Sequence, residues 1–169
     1  MPTENELLQR IANKDETALQ ALHHVYYRRL ARFLLRMTGD SELVLEVIND
    51  VFLVVWRSAG KFRGDSHVST WLIGIAYRKA LKALEKGRKW NSFEEVTASI
   101  ASDDSHAEDQ LDMQTSLAKL SADHRAVLEL TYFFGYSYKE IALILSCPEN
   151  TVKSRAFYAR RALQTILEA

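Results

Sequence analysis

The chain contains one cysteine, two prolines and six glycines in 169 residues, and it has no sustained apolar run. A single thiol, Cys147, excludes an internal disulfide framework and fits a reducing compartment. The five histidines have no metal-ligand spacing with it, so no metal site is expected. Scarce proline and glycine argue for helices rather than a turn-rich β architecture. The apolar runs are too short to span a bilayer. The opening Met1-Pro2-Thr3-Glu4-Asn5-Glu6 is acidic and polar, the opposite of a secretory signal. A cytoplasmic, mostly helical protein, not itself a membrane protein, is therefore expected.

Net charge is also absent, with 22 basic residues against 22 acidic ones, but the zero conceals segregation. Residues 1–90 carry 15 basic and 10 acidic side chains. Residues 91–116 carry seven acidic and no basic ones, and residues 117–169 carry seven basic and five acidic. The middle stretch, rich in Ser, Asp, Thr and Ala, reads as a linker between two domains. A solvated surface loop with no role is the plainer alternative.

Periodicity fills in the N-terminal part. Thr3-Glu4-Asn5-Glu6 has capping-box spacing and predicts a short helix burying Leu7, Leu8 and Ile11. After Asp15, Leu19, Leu22, Tyr26, Leu30, Phe33 and Met37 step by three or four along one helical face. Gly39-Asp40-Ser41 ends that helix and caps the next, Glu42 to Ser58, whose buried stripe is Val44, Val47, Val51 and Val55. Glu42, Glu46 and Asp50 stack on its opposite side, where like charges four apart repel by a few tenths of a kcal/mol. Such a stripe is either a solvated face or a docking surface for a basic partner.

A polar loop, Lys61 to Ser69, leads into a helix from Thr70 to Lys86 packed through Leu72, Ala76, Ala80, Ala83 and Leu84. Arg78, Lys79, Lys82 and Lys86 form a basic ridge, with Phe62, Trp71, Tyr77 and Trp90 beside it. Basic side chains track phosphates, and aromatic faces stack on unpaired bases at roughly 1–3 kcal/mol per base. Trp71 and Tyr77 read equally as core residues.

In the C-terminal part Ser137-Tyr138-Lys139-Glu140 repeats the capping box, before Ile141, Ala142 and Leu145. Ser146 to Asn150 breaks the chain, and Pro148 suits the first turn of the following helix, Asn150 to Leu167. That helix buries Val152, Ala156, Ala159, Leu163 and Ile166. It presents Lys153, Ser154, Phe157 and Arg161, flanked by Arg155, Tyr158 and Arg160. Two helices joined by a short turn, the second polar and basic, match the layout that enters a major groove. A helical hairpin without DNA affinity can imitate it.

Taken together, these segments resemble the extracytoplasmic-function (ECF) sigma factors of the sigma-70 family. The resemblance rests on Asp15-Glu16-Thr17-Ala18-Leu19, Asn49-Asp50-Val51-Phe52-Leu53-Val54-Val55-Trp56, Phe62-Arg63-Gly64-Asp65-Ser66 and Ser69-Thr70-Trp71-Leu72-Ile73-Gly74-Ile75-Ala76. It continues in Gly135-Tyr136-Ser137-Tyr138-Lys139-Glu140-Ile141-Ala142 and Cys147-Pro148-Glu149-Asn150-Thr151-Val152-Lys153-Ser154-Arg155. The implied fold is all-α: two small helical domains joined by an acidic flexible linker, the second with a helix-turn-helix. Residues 1–90 would correspond to sigma region 2, 91–115 to the linker and 116–169 to sigma region 4.

The resemblance further implies a promoter-specificity subunit that recruits RNA polymerase core, recognises −35 and −10 elements and helps melt DNA, without catalysis or cofactor of its own. Glu46, Asn49, Asp50 and Leu53 would dock on the polymerase β′ coiled coil, and the β flap would be a further core contact. Phe62, Arg63, Ser66, His67, Trp71, Arg78, Lys79 and Lys82 would serve the −10 element. Lys153, Ser154, Arg155, Phe157, Tyr158 and Arg161 would serve the −35 element. An anti-sigma factor, often a membrane protein, is the implied regulator. Arg78 stands where many relatives carry Asn, Tyr158 where a basic residue is common, and Leu43-Val44-Leu45-Glu46 is less acidic than the family pattern. A stand-alone helix-turn-helix regulator is the alternative; it explains Ser137–Leu167 but leaves Glu46, Asp50 and the Phe62–Ser69 loop without a role.

Overall fold

A computed structural model describes residues 1–87 and 107–169, with side chains described from residue 113 onward in the second stretch. Among the described residues the chain is helical throughout, with no strand. Helix α1 (Glu4–Ala12) starts as its capping box predicts: the Glu6 amide donates to Thr3 Oγ1 at 3.2 Å and the Thr3 amide to Glu6 Oε2 at 2.7 Å. Helix α2 (Glu16–Thr38) is capped by Asp15, which accepts from the Thr17 and Ala18 amides. The Arg10 guanidinium and those amides hold the Asp15 carboxyl below its usual range. Gly39, at φ 69°, closes α2 in the left-handed conformation that glycine adopts without steric cost. Asp40 then caps α3 (Ser41–Ser58) through the Glu42 and Leu43 amides.

A 3₁₀ turn (Ala59–Lys61) and the polar loop lead to α4 (Val68–Lys86), which begins two residues before the expected Thr70. In the second half, α5 (Ala107–Ala118), α6 (Ala122–Leu128) and a π-helical turn (Glu129–Phe133) precede α7 (Tyr138–Leu145) and α8 (Glu149–Glu168). Helix α5 begins inside the stretch 91–115 assigned to the linker, because acidic composition does not distinguish a solvated helix from a connecting segment. The remainder of the linker, and Trp90, lie outside the described residues.

The predicted apolar stripes face inward. Leu22, Leu30, Phe33, Met37, Val51, Val55, Leu72 and Ala80 are fully buried, and Leu19, Ala83, Leu163 and Ile166 lie partly buried at the margins. Each fully buried Leu or Phe contributes roughly 1.5–3 kcal/mol through removal of apolar surface from water. The capping box of α7 forms as expected, with the Glu140 amide on Ser137 Oγ at 3.2 Å and the Ser137 amide on Glu140 Oε2 at 2.8 Å. Ser146 turns the chain at φ 53°, and Pro148 is the cap of α8 rather than a member of its first turn.

The two halves do not keep separate cores. One continuous apolar cluster runs from α1–α4 into Ala126, Val127, Leu130, Tyr136, Ile141, Ile144, Val152 and Ala156. Helix α7 lies on α4 beside Gly74, where even a methyl group would be in van der Waals contact with the backbone of α7. A Cβ at Gly74 would sit 3.7 Å from both the Cα and the carbonyl oxygen of Ile144. A smaller cluster of Leu117, Leu120, Leu128 and Ala159 ties α5 and α6 to α8.

Polar groups complete this seam. Buried Arg125 donates to the Leu117, Ala118 and Leu120 carbonyls at 3.1, 2.7 and 3.1 Å, at and just past the C-terminal end of α5, where helix carbonyls lack intrahelical partners. Its Nη1 reaches across to the Met37 carbonyl near the end of α2, at 2.9 Å. Arg36 of α2 pairs with Glu129, which is 2% exposed, and lies 3.6 Å from the Phe133 ring centre. Burial raises the Glu129 carboxyl and lowers the Arg125 guanidinium, while the neighbouring opposite charges oppose both shifts. Phe33 and Phe134 meet edge to face at 5.8 Å.

Candidate nucleic-acid and polymerase interfaces

The solvent face of α3 is a continuous stripe. Val44, Val47, Val51 and Val55 anchor the helix, leaving Glu42, Leu45, Glu46, Asn49, Asp50 and Leu53 exposed. Glu42, Glu46 and Asp50 have no ion-pair partner among the described residues. The stripe therefore combines uncompensated negative charge with the exposed side chains of Leu45 and Leu53, a chemistry suited to a basic and partly apolar partner. Leu45 was absent from the candidates, although the steps 45, 49, 53 share the four-residue spacing that links Asn49 to Leu53.

The second group surrounds the start of α4. Phe62 and Trp71 pack on each other with ring centres 5.3 Å apart, both half-buried, so Trp71 is partly a core residue with one side open. Arg63 and His67 are exposed, and Ser66, half-buried, donates to the His67 carbonyl at 3.3 Å. Arg78 and Lys82 are exposed and Lys79 is half-buried. Arg78 also leans toward the C-terminal half, its Nη1 3.5 Å from Ser146 Oγ, and partial burial lowers its pKa. Tyr77 is core: it is buried and donates to Asp123 at 3.0 Å, and burial beside that carboxylate raises its pKa well above the ordinary phenol value.

The third group lies on α8. Lys153, Ser154, Phe157, Tyr158 and Arg161 are all exposed along one side of a helix whose other side buries Val152, Ala156 and Ala159. Phe157 and Tyr158 meet edge to face at 5.3 Å, and the Arg161 guanidinium lies 5.6 Å from the Phe157 ring centre. Lys153 stands 3.9 Å from Glu149, an exposed pair of little energetic weight. Arg155 differs from its neighbours, being half-buried and 3.9 Å from Asp123, so only part of its guanidinium is free for a ligand. Arg, Lys and Ser on such a face can bond base edges or phosphates, and an exposed ring can meet a thymine methyl.

Three faces thus lie on one chain: acidic and apolar on α3, aromatic and basic at α4, basic and aromatic on a helix-turn-helix. Residues 22–90 match the family described as Sigma-70 region 2, and residues 110–163 match Sigma-70, region 4. The ECF RNA polymerase sigma factor SigL of Mycobacterium tuberculosis is 31% identical over 165 residues, covering 93% of each chain. The chain belongs to the ECF sigma factors of the sigma-70 family. It is therefore an RNA polymerase sigma factor, a promoter-recognition subunit rather than a stand-alone regulator.

This sigma factor is also similar to the RNA polymerase sigma-H factor of Pseudomonas aeruginosa, at 29% identity over 181 residues, covering 98% of this chain and 94% of the relative. Two solved structures share its fold. CnrH in complex with the cytosolic domain of CnrY superposes with a TM-score of 0.72 at 23% identity, covering 98% and 97% of the two chains. The sigma factor RpoE in complex with the anti-sigma factor NepR, from Bartonella quintana, gives 0.68 at 24% identity, covering 89% and 96%. Among the described residues no helix is long and apolar enough to cross a membrane, and no three His, Cys, Asp or Glu side chains cluster as metal ligands.

Proposed function

We propose that the three faces divide the work of this sigma factor. Glu46, Asn49, Asp50 and Leu53 dock on core polymerase through the β′ coiled coil, with Leu45 extending the contact. Phe62, Arg63, Ser66, His67, Trp71, Arg78, Lys79 and Lys82 engage the −10 element. Lys153, Ser154, Arg155, Phe157, Tyr158 and Arg161 engage the −35 element, and the β flap holds the C-terminal half. The functional division follows residues 1–90, 91–115 and 116–169. The single observation that carries this reading is the unpaired acidic and apolar stripe on α3, which a free-standing DNA-binding protein would not need. Two weak DNA contacts on one chain gain from effective concentration once the core holds both.

The chain acts in the bacterial cytoplasm and directs chemistry performed by the polymerase. The complex of RpoE with the anti-sigma factor NepR supports regulation by a protein of that kind, soluble or membrane-bound, which covers the same faces.

The test is transcription with sigma-free core polymerase on a library of random promoters, comparing the native chain with Glu46→Lys/Asp50→Lys. Start-site-specific transcripts that disappear in the variant support the assignment of α3. Transcripts that persist undiminished would remove it. Specific duplex binding by the chain alone, without transcription, would return the helix-turn-helix to an independent role.

A further inference from the structure

Helix α2 carries a basic flank that none of the three faces uses. Between Thr17 and Gly39 it holds four arginines and no acidic residue. Val25, Arg29, Arg32 and Arg36 step by three or four and share one flank over about 16 Å of helix axis, with Arg28 one turn before Arg32. Arg29 and Arg36 are already engaged, the first 5.3 Å from the Tyr136 ring centre and the second paired with Glu129. Arg28 and Arg32 are exposed and have no ion-pair partner among the described residues. Like charges four residues apart repel on a helix surface. A ligand that brings negative charge between them turns that repulsion into attraction.

The flank ends on two open rings. The π-helical turn Glu129–Phe133 closes with the Phe134 amide donating to the Glu129 carbonyl, five residues back, at 3.2 Å. That wider turn breaks the α-helical register that buries Ala126, Val127 and Leu130, and it leaves Tyr132 62% and Phe133 52% exposed. Each ring has a cation beside it. The Arg36 guanidinium lies 3.6 Å from the Phe133 ring centre, and Arg160, which donates to Tyr138 at 3.2 Å, stands by the Tyr132 hydroxyl.

We infer that the α2 flank and the π-helical turn form a binding surface for single-stranded nucleic acid, with Arg28 and Arg32 on phosphates and Tyr132 and Phe133 as stacking platforms. The combination sets the ligand class. Backbone phosphates match spaced, unpaired guanidiniums, and exposed rings stack on bases of any identity. A duplex offers the same phosphates but keeps its base faces covered, and an acidic peptide offers charge without bases. The surface follows a strand and reads no sequence. It uses none of the residues assigned to either promoter element, so it does not depend on those assignments.

The test is fluorescence anisotropy of the chain alone with three probes: an oligo-dT strand, an oligo-U strand of the same length, and the oligo-dT strand annealed to its complement. The two strands separate DNA from RNA as the source of the ligand. The better-bound strand is expected to bind about tenfold or more tighter than the duplex. Arg28→Ala/Arg32→Ala should lower strand affinity by about tenfold and flatten the log–log salt dependence by about 1.4, two phosphates at about 0.7 each. Tyr132→Ala should lower it by about fivefold or more with the salt slope unchanged. All three positions are exposed and alanine favours a helix, so these variants keep the fold, which circular dichroism checks. Absence of strand binding, or a duplex bound as tightly as either strand, overturns the inference. So does strand binding that survives Arg28→Ala/Arg32→Ala but is lost in Arg78→Ala/Lys82→Ala, which would hand the strand to α4.

Discussion

Helices α4 and α8 are similar in length and charge, and both carry basic and aromatic side chains, yet one is a wall of the interior and the other is an outer surface. The difference lies in the residues opposite the basic ones. Helix α8 buries a narrow strip of Val152, Ala156 and Ala159, leaving most of its circumference free. Helix α4 buries Leu72, Ile73, Gly74, Ile75, Ala76 and Tyr77 in succession, a full turn and more, because it receives α3 and α2 on one side and α7 on the other. A helix packed all round at its centre can offer only its ends and edges, which is where Trp71, Arg78 and Lys82 stand. Readability from outside is set by what packs behind and beside a helix as much as by its own side chains.

Substitutions on the buried and on the open side test this contrast. Glu129→Ala should act most strongly, since it leaves Arg36 and Arg125 facing each other in a buried seam. A loss of about 3–5 kcal/mol is expected in chemical denaturation. Phe157→Ala/Arg161→Ala on the open helix should do the reverse: stability should stay within about 0.5 kcal/mol. Transcription from −35-dependent promoters should then fall by roughly tenfold, a contact loss of about 1–3 kcal/mol. Ser137→Ala removes the cap of the helix that covers α4 and should lower the thermal midpoint through a loss of about 1 kcal/mol. Lys82→Ala, at the accessible edge of α4, should be the mildest. It should leave the fold unchanged and flatten the salt dependence of promoter binding by about one unit of slope.

Much of this was legible locally. Both capping boxes, the glycine stop at Gly39, the Asp15 and Asp40 caps and the valine stripe of α3 form as their spacing predicts, because each depends on neighbours within one or two turns. The ECF resemblance is upheld by the matches to regions 2 and 4, and with it the sigma-factor function and the all-helical fold. What periodicity did not disclose is the seam. Arg125 and Glu129 stand four apart and resemble an ordinary solvated pair. Their burial follows only from α2 lying against them, a contact 88 residues distant for Arg125 and Met37. Nothing around Gly74 in the sequence signals that α7 rests on it. Helix α5 escaped because its polar, acidic composition matches that of a linker equally well.

The chain's one thiol acquires a use from its position. Cys147 is half-buried, packed against the core at the turn between α7 and α8. An alkylating reagent offered to the native protein would find a single address, at the turn that leads into α8. The rate at which that address is consumed, alone and then with polymerase or promoter present, would report whether a partner covers or exposes that turn, without any engineered label.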